Sequence, residues 1–259
     1  MKNLSKILIM AAVFSTAGLA YAGQATEYQY GTITALMGGD YSVKASVSEV
    51  KKHNDFGLGA GVGIGEVIAV NGDFYLADPN GNASKMKKKD GLSYMTAINF
   101  NPKKSLSFRV DKEISITDLQ KLILEKTANN QIMYAVKITG EFTSVLARSE
   151  DRDMDSQTPL VKWMKTHQHK FNLKNVEGTF VLFYTPKYIV GIGVPGFHTH
   201  YLSEDYKITG HVLNATVKSA KVEIEPIYNL NLRLGDVKSQ EKEVTLDGLH
   251  QLENVIHQN

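Results

Sequence analysis

The stretch that decides the fold runs from residue 191 to residue 215 and reads GIGVPGFHTHYLSEDYKITGHVLNA. His198 and His200 are two residues apart, so on a β-strand both imidazoles point to the same face of the sheet. His211 lies beyond a polar turn and Gly210, where a returning antiparallel strand would bring it beside the first two. The pattern predicts a β-hairpin that carries three histidines on one face.

Three neutral imidazoles form a recognisable type of metal site. They bind Zn²⁺ and leave coordination positions open for water or substrate, which is typical of catalytic rather than structural zinc. The simpler alternative is two surface histidines that alternate on a strand, and the third histidine at hairpin distance favours the metal. A second H-x-H, His167 and His169, is surrounded by lysines that repel a cation, so it predicts a solvated segment without metal. The absence of cysteine excludes a thiolate site.

Alternating apolar residues interrupted by turn signals dominate the rest of the chain. Asn71-Gly72 between two such runs is typical of a two-residue hairpin turn. Strands are expected on either side of Gly140, over residues 188–194, and over residues 218–234, where Pro226 should mark an edge or a bulge. These patterns predict an α+β protein dominated by mixed or antiparallel sheet.

Two capping-box patterns predict short helices within this mostly extended chain. Ser46 and Glu49 have the required spacing, and so do Thr117 and Gln120. The second helix is expected to end near Ala128, before two asparagines.

Residues 1–22 have the features of a secretory signal peptide. Lys2 and Lys6 precede an apolar run that is too short to span a bilayer, and Ala20-Tyr21-Ala22 is a small-residue cleavage site. Cleavage would remove two of the 29 basic residues and leave 27 against 27 acidic ones, so the charge gives no reason to expect nucleic acid or an anionic membrane as a partner. We expect an exported protein of the bacterial periplasm or exterior.

Several blocks together resemble the alpha-acetolactate decarboxylase family. The segment GFHTHYLSEDYKITGHVL is similar to the family's zinc-binding signature, with Thr209 where a second glycine is common. The opening QYGTITAL resembles another family block, and HNDFGLG before Glu66 resembles a third, with Ala60 where threonine is usual and a stretch one residue shorter. Gly140, Phe142, Val145 and Arg148 match the family's G-x-F-x-x-V-x-x-R spacing.

The resemblance implies a fold, a reaction and a set of site residues. The fold would have two sheet-containing lobes, roughly residues 23–140 and 141–259, with the metal in the cleft between them, and the protein would be a homodimer. The reaction would be zinc-dependent decarboxylation of (S)-2-acetolactate, a small 2-hydroxy-3-oxo acid, to (R)-acetoin and CO₂. His198, His200 and His211 would hold Zn²⁺, Arg148 would orient the substrate carboxylate, and Glu66 with Glu253 would handle the proton.

Two other functions remain open from the sequence. H-x-H-x-x-x-E, with Glu204 as a fourth ligand, imitates half of the motif of a cupin oxygenase or isomerase, although no P-x-G-x-x-H block follows it. An exported protein that binds metal without catalysis is the other alternative, and the departure at Ala60 keeps it open.

Overall fold

β-Strands make up most of the chain that the computed structural model describes, namely residues 24–153 and 158–235. In chain order the elements are β1 (Ala25–Tyr30), α1 (Ile33–Met37), β2 (Ala45–Ser46), α2 (Val47–Lys51), β3 (Phe56–Gly61), β4 (Glu66–Val70), β5 (Asp73–Ala77), β6 (Ala83–Lys85), β7 (Gly91–Ile98), β8 (Leu106–Val110), β9 (Ile114–Ser115), α3 (Ile116–Thr127), β10 (Met133–Glu150), α4 (Leu160–His167), β11 (Gln168–Thr185), β12 (Gly196–Ser203) and β13 (Thr209–Arg233). The predicted signal peptide and Glu253 lie outside the described residues. No helix in the described ranges is long and apolar enough to cross a membrane.

Four strands at the C-terminal side of the sheet close on themselves. β10 pairs along its length with β11 on one edge and with β13 on the other, and β12 joins β11 to β13. The ring is filled by aromatic and aliphatic side chains. Phe142 and Phe180 stack with their centroids 4.2 Å apart, and Tyr201 meets both rings edge-on. Burial of this apolar surface is the main favourable contribution to the stability of the ring.

The sheet continues from β13 through β1, β7, β3, β4 and β5 to β6. β1 pairs in parallel with β13 and antiparallel with β7, so the sheet is mixed, as predicted. The predicted boundary between two lobes, residues 140 and 141, falls inside β10. The division into lobes around a cleft therefore stays a prediction.

The strands around Gly140 and residues 188–194 differ from the prediction. β10 runs without a break through Gly140. A Cβ atom at this position would lie 2.1 Å from the carbonyl oxygen of Ser219, so glycine is what allows β13 to pair closely with β10 here. Residues 188–194 do not form a strand. They begin with a short 3₁₀-helix, Lys187–Ile189, and then turn at Gly191, whose φ is +92°.

The local turn and capping signals are confirmed in two of three cases. Asn71 and Gly72 both have positive φ, as a tight hairpin turn between β4 and β5 requires. Both hydrogen bonds of the capping box are present at Ser46. The prediction that Thr117 caps α3 is wrong, because Ser115 accepts the hydrogen bond from the backbone of Asp118, two residues earlier than expected.

Glu27 is an unusual residue for the middle of a sheet. It lies on β1 opposite Leu230, is 2% exposed, and its Oε2 has no hydrogen-bond partner among the described residues. Burial raises its pKa to about 8. The folded protein therefore holds this carboxyl in its neutral form at a pH where the unfolded chain ionises it.

This raised pKa predicts a contribution to the pH dependence of stability that Glu27→Gln removes. Between about pH 5 and pH 8 the folded state binds one more proton at Glu27 than the unfolded state does, so stability falls as pH rises. The loss approaches about 1.4 kcal/mol for each pH unit. Chemical unfolding of the metal-free protein at pH 5.5, 6.5 and 7.5 measures it.

The informative quantity in this experiment is the difference between the wild type and Glu27→Gln. Glu141→Gln, which changes an exposed glutamate on β10, is the control and should not remove the slope. Parallel pH profiles for the wild type and Glu27→Gln would contradict a neutral carboxyl at Glu27.

Candidate metal centre

The predicted histidine hairpin is present and is extended by a third strand. β12 pairs antiparallel with β13 so that His200 stands directly opposite His211. On the other edge of β13, His211 stands opposite Arg148 of β10. Directly opposed residues of neighbouring strands project to the same face, so Arg148, His211 and His200 form a row across three strands. His198, two residues before His200, projects to that face as well.

The three imidazoles converge on one point. One ring nitrogen from each lies within 4.8 Å of the others, and in the described part of the chain only His198, His200 and His211 form such a group. The Nε2 atoms of His198 and His200 are 3.1 Å apart. Two nitrogens bound at about 2.0–2.1 Å to one tetrahedral ion would lie roughly 3.3 Å apart. The spacing therefore fits a shared metal ion.

The hydrogen bonds around His200 also favour a cation. Its Nδ1 donates to the carbonyl oxygen of Val67 at 2.8 Å, which fixes the orientation of the ring and turns Nε2 toward the other two histidines. That Nε2 faces Oε2 of Glu66 at 3.0 Å. The buried Nδ1 of His211 has no hydrogen-bond partner among the described residues. Converging ring nitrogens beside a carboxylate, and an unsatisfied buried nitrogen, form an environment that a metal ion stabilises.

The protonation states suit metal ligands. Burial lowers the pKa of His198 well below its ordinary value, and the neighbouring His200 lowers it further. Burial and the adjacent Arg148 lower the pKa of His211 in the same direction. Both rings are therefore neutral near pH 7, as imidazole ligands must be.

Glu66 begins β4 and lies at the centre of the charged contacts. Its Oε1 accepts a hydrogen bond from Nη1 of Arg148 at 2.7 Å, and its Oε2 faces His200. Burial favours a higher pKa for Glu66, but Arg148 and His200 outweigh this effect and hold the pKa well below its ordinary value. Glu66 is therefore a carboxylate near neutral pH.

Arg148 is 5% exposed and all of its described contacts use a single nitrogen. Nη1 donates to Glu66, to Oε2 of Glu150 at 2.9 Å, and weakly to the sulfur of Met164 at 3.8 Å. Nε is buried and has no partner among the described residues. A planar guanidinium with an unpaired donor is well suited to bind a ligand carboxylate.

Glu150 is a site residue that the sequence analysis missed. It ends β10, is fully buried, and lines the same pocket as Arg148 and the histidines. Burial and the nearby carboxylate of Glu66 raise the pKa of Glu150 to about 8. The signal was available in the sequence, because Glu150 is two residues after Arg148 and so shares its face of the strand.

The far wall of the pocket is apolar. It consists of Ile33, Leu36, Ala60, Ile64, Tyr94, Leu160 and Val194. Ala60 stands opposite Glu66 in the pairing of β3 with β4, so the position where related sequences usually carry threonine faces the site without a hydroxyl.

The prediction of a solvated segment around His167 is confirmed for one face only, on which Lys162, Lys165 and His169 are exposed. Residues 160–167 form α4, whose Leu160 and Met164 are buried beside the site. The lysines occupy the other face of this helix, and their charge hid the apolar residues at helical spacing. His167 stacks on Trp163 at 3.6 Å, and His169 contacts Asp151, so neither joins the metal group.

The predicted site residues within the described ranges come together in one pocket. Glu66, Arg148, His198 and His211 line it, and His200 lies behind them with no exposed surface. Glu253 lies outside the described residues, and its role stays a prediction.

Comparison with known proteins gives consistent matches. The sequence profile described as alpha-acetolactate decarboxylase matches residues 28–247. The chain is 34% identical over 232 residues to an alpha-acetolactate decarboxylase of Brevibacillus brevis, a match that covers 88% of this chain and 80% of that one. It is 33% identical over 208 residues to the enzyme of Bacillus subtilis strain 168, with 80% of each chain covered. The crystal structure of the enzyme from B. subtilis strain 168 superposes with a TM-score of 0.84, at 30% identity, over 90% of this chain and 99% of that one.

The geometry predicts which substitutions remove the metal. His198→Ala and His211→Ala each delete a converging nitrogen, so metal retained after dialysis should fall at least about tenfold. His169→Ala is the matched control, because it removes a histidine of the other H-x-H, and it should keep the wild-type metal content. Elemental analysis of the dialysed proteins measures the effect. Equal metal loss in all three variants would contradict the assignment.

Proposed function

The chain belongs to the alpha-acetolactate decarboxylase family, and from this premise we propose that it decarboxylates (S)-2-acetolactate to (R)-acetoin and CO₂ in a zinc-dependent reaction. The observation that carries the proposal is the presence of two complementary groups in one pocket. Three converging histidines lie beside Arg148, whose buried Nε has no partner among the described residues and is suited to bind a carboxylate.

The substrate itself explains why such a pocket suffices. Acetolactate carries a ketone β to its carboxylate, so the electron pair released when the C1–C2 bond breaks can enter that ketone. The product of this step is an enediolate, and no organic cofactor is needed to accept the electrons. His198, His200 and His211 would hold the zinc ion, which supplies Lewis acidity where negative charge develops.

Arg148 and the apolar wall would position the substrate. The guanidinium binds the carboxylate that is lost as CO₂, while Glu66 and Glu150 keep Nη1 in place. The apolar side chains, Ile64 and Leu160 among them, contact the methyl groups and exclude water. Exclusion of water strengthens the electrostatic interactions inside the pocket.

Glu66 would manage the proton that completes the reaction. Since Glu66 is ionised at rest, it would first accept from solvent the one proton that the reaction consumes, and would then deliver it to C2 of the enediolate, which restores the C3 ketone. Delivery to one face of that carbon gives a single enantiomer. Glu253, from the C-terminal segment, is proposed as the second carboxyl of this step.

The proposal extends to the compartment and the assembly. The basic residues, short apolar run and A-x-A site of residues 1–22 support export to the periplasm or exterior. We propose a homodimer from the family relationship alone.

The first experiment measures acetoin formed from racemic acetolactate by the mature chain, which starts after Ala22. Metal content is determined before and after chelation. We expect acetoin production that stops on chelation and returns with zinc. Stoichiometric metal without acetoin would contradict the proposal and favour a protein that binds metal without catalysis.

Arg148→Lys tests the role of the guanidinium. Lysine keeps a positive charge beside the two glutamates but lacks the planar guanidinium that binds a carboxylate through two N–H groups. KM for acetolactate should therefore rise by about tenfold or more. Metal content should not change. Arg109→Lys, at an exposed arginine paired with Asp111, is the control and should leave KM unchanged. Steady-state kinetics with metal-loaded protein measures the difference, and an unchanged KM in Arg148→Lys would exclude this role.

A further inference from the structure

Glu150 makes two contacts that link separate parts of the pocket. Its Oε1 accepts a hydrogen bond from the backbone N–H of Gly65 at 3.0 Å, and its Oε2 accepts one from Nη1 of Arg148 at 2.9 Å. Gly65 immediately precedes Glu66 in the chain. One buried side chain therefore joins the proposed carboxylate-binding arginine to the turn that carries the proposed proton acceptor.

The turn between β3 and β4 needs such support. Ile64 has φ +65°, a conformation that is strained for a β-branched residue, and it is buried against the pocket. Gly63 and Gly65 on either side of it also have positive φ. The segment that follows β10 holds this turn at a second point, where the backbone N–H of Asp153 donates to the carbonyl oxygen of Gly63 at 2.6 Å. The strained conformation persists because surrounding contacts determine it.

Arg148 depends on the same carboxyl. The two N–H bonds of Nη1 point in fixed directions in the guanidinium plane, and Glu66 and Glu150 accept one each. Two acceptors on one nitrogen fix the plane of the whole group. The buried Nε, which has no partner among the described residues, is thereby held ready for a ligand.

We propose that Glu150 is a positioning residue, which fixes Arg148 and the β3–β4 turn relative to each other so that the substrate carboxylate meets an aligned guanidinium. This inference rests on the proposed function, because it assigns Arg148 to the carboxylate of acetolactate. Glu150 contacts none of the three histidines through a described hydrogen bond, so its effect on the metal should be small.

Glu150→Gln separates the two contacts without opening a cavity. Both oxygens of the carboxyl group can accept a hydrogen bond whether or not it is protonated, whereas the amide nitrogen of glutamine accepts none, so the variant can serve Gly65 or Arg148 but not both. In the metal-loaded mature protein we expect KM for acetolactate to rise by about tenfold, with a smaller change in kcat and unchanged metal content. Glu150→Asp, which keeps two oxygens but is shorter by one methylene, should raise KM in the same way and replaces Glu150→Gln if that variant does not fold.

Glu225→Gln is the matched control. Glu225 is also buried, and it accepts a backbone N–H, that of Asn101, at 2.6 Å, but it does not line the pocket. Its substitution should leave KM unchanged whatever it does to thermal stability. If Glu150→Gln lowers the melting temperature but leaves KM at the wild-type value, Glu150 is merely structural and the inference is wrong.

A double-variant cycle tests whether Glu150 acts through Arg148. If it does, Arg148→Lys combined with Glu150→Gln should have about the same KM as Arg148→Lys alone. If the KM of the double variant instead rises by the product of the two single-variant factors, the two residues act independently and the proposal is overturned.

A binding measurement separates this inference from the proposed function. The probe is 2,3-dihydroxy-2-methylbutanoate, which has the substrate carboxylate but no ketone and cannot lose CO₂ by this route. Calorimetry with metal-loaded protein should show about tenfold weaker binding to Glu150→Gln than to wild type or Glu225→Gln. If the wild-type protein binds the probe but forms no acetoin, the proposed function is rejected. The role of Glu150 is then still supported, provided that Glu150→Gln binds the probe more weakly than wild type does. Equal binding by all three proteins would reject the role of Glu150.

Discussion

Strand β13 is paired on both edges at His211, with Arg148 of β10 on one side and His200 of β12 on the other. These backbone pairings set the spacing of three functional side chains. A strand register has a period of two residues, so a slip of one residue on any of the three strands would turn its side chain away from the pocket. The closed ring of β10 to β13 and its aromatic core oppose such a slip.

The charges of the site are arranged around one guanidinium. Two buried carboxyl groups share Nη1 of Arg148, and their pKa values move apart, with the pKa of Glu66 well below its ordinary value and that of Glu150 raised to about 8. Like charges in one buried place cannot both be ionised at low cost, so the group nearer to the positive partners keeps the charge. The pocket therefore contains a carboxylate and a carboxylic acid side by side.

The sequence predicted the parts of this arrangement that have local signals. The spacing of His198, His200 and His211 follows from strand periodicity and a turn, and Asn71-Gly72 follows from backbone conformation. The family resemblance supplied Glu66 and Arg148, which periodicity alone could not have singled out. Both do lie in the pocket with the histidines.

What the sequence did not predict depends on contacts between distant residues. The pairing of Arg148 with His211 joins residues 63 positions apart in the chain, and no local pattern encodes it. α4 was missed because lysines on its outer face masked Leu160 and Met164. Glu150 was not singled out by any motif, and the hydrogen bond from the N–H of Gly65 to its carboxyl is seen only in the fold.

The position of β1 has a consequence for how the chain is made. β1 is the first of the described strands to be synthesised, yet one of its two partners, β13, is the last, and β10 also needs β13 to complete the ring. Early segments can form hairpins such as β4 with β5. The ring cannot close, and the edge of β1 that pairs with β13 cannot be covered, until residues 209–233 have been synthesised. Pairing over such long separations is slow, because the entropy of closing the chain is lost before the contacts are gained. The ring and the pairing of β1 with β13 therefore stay incomplete until the last described strand has been made, although the hairpins that precede it can already be formed.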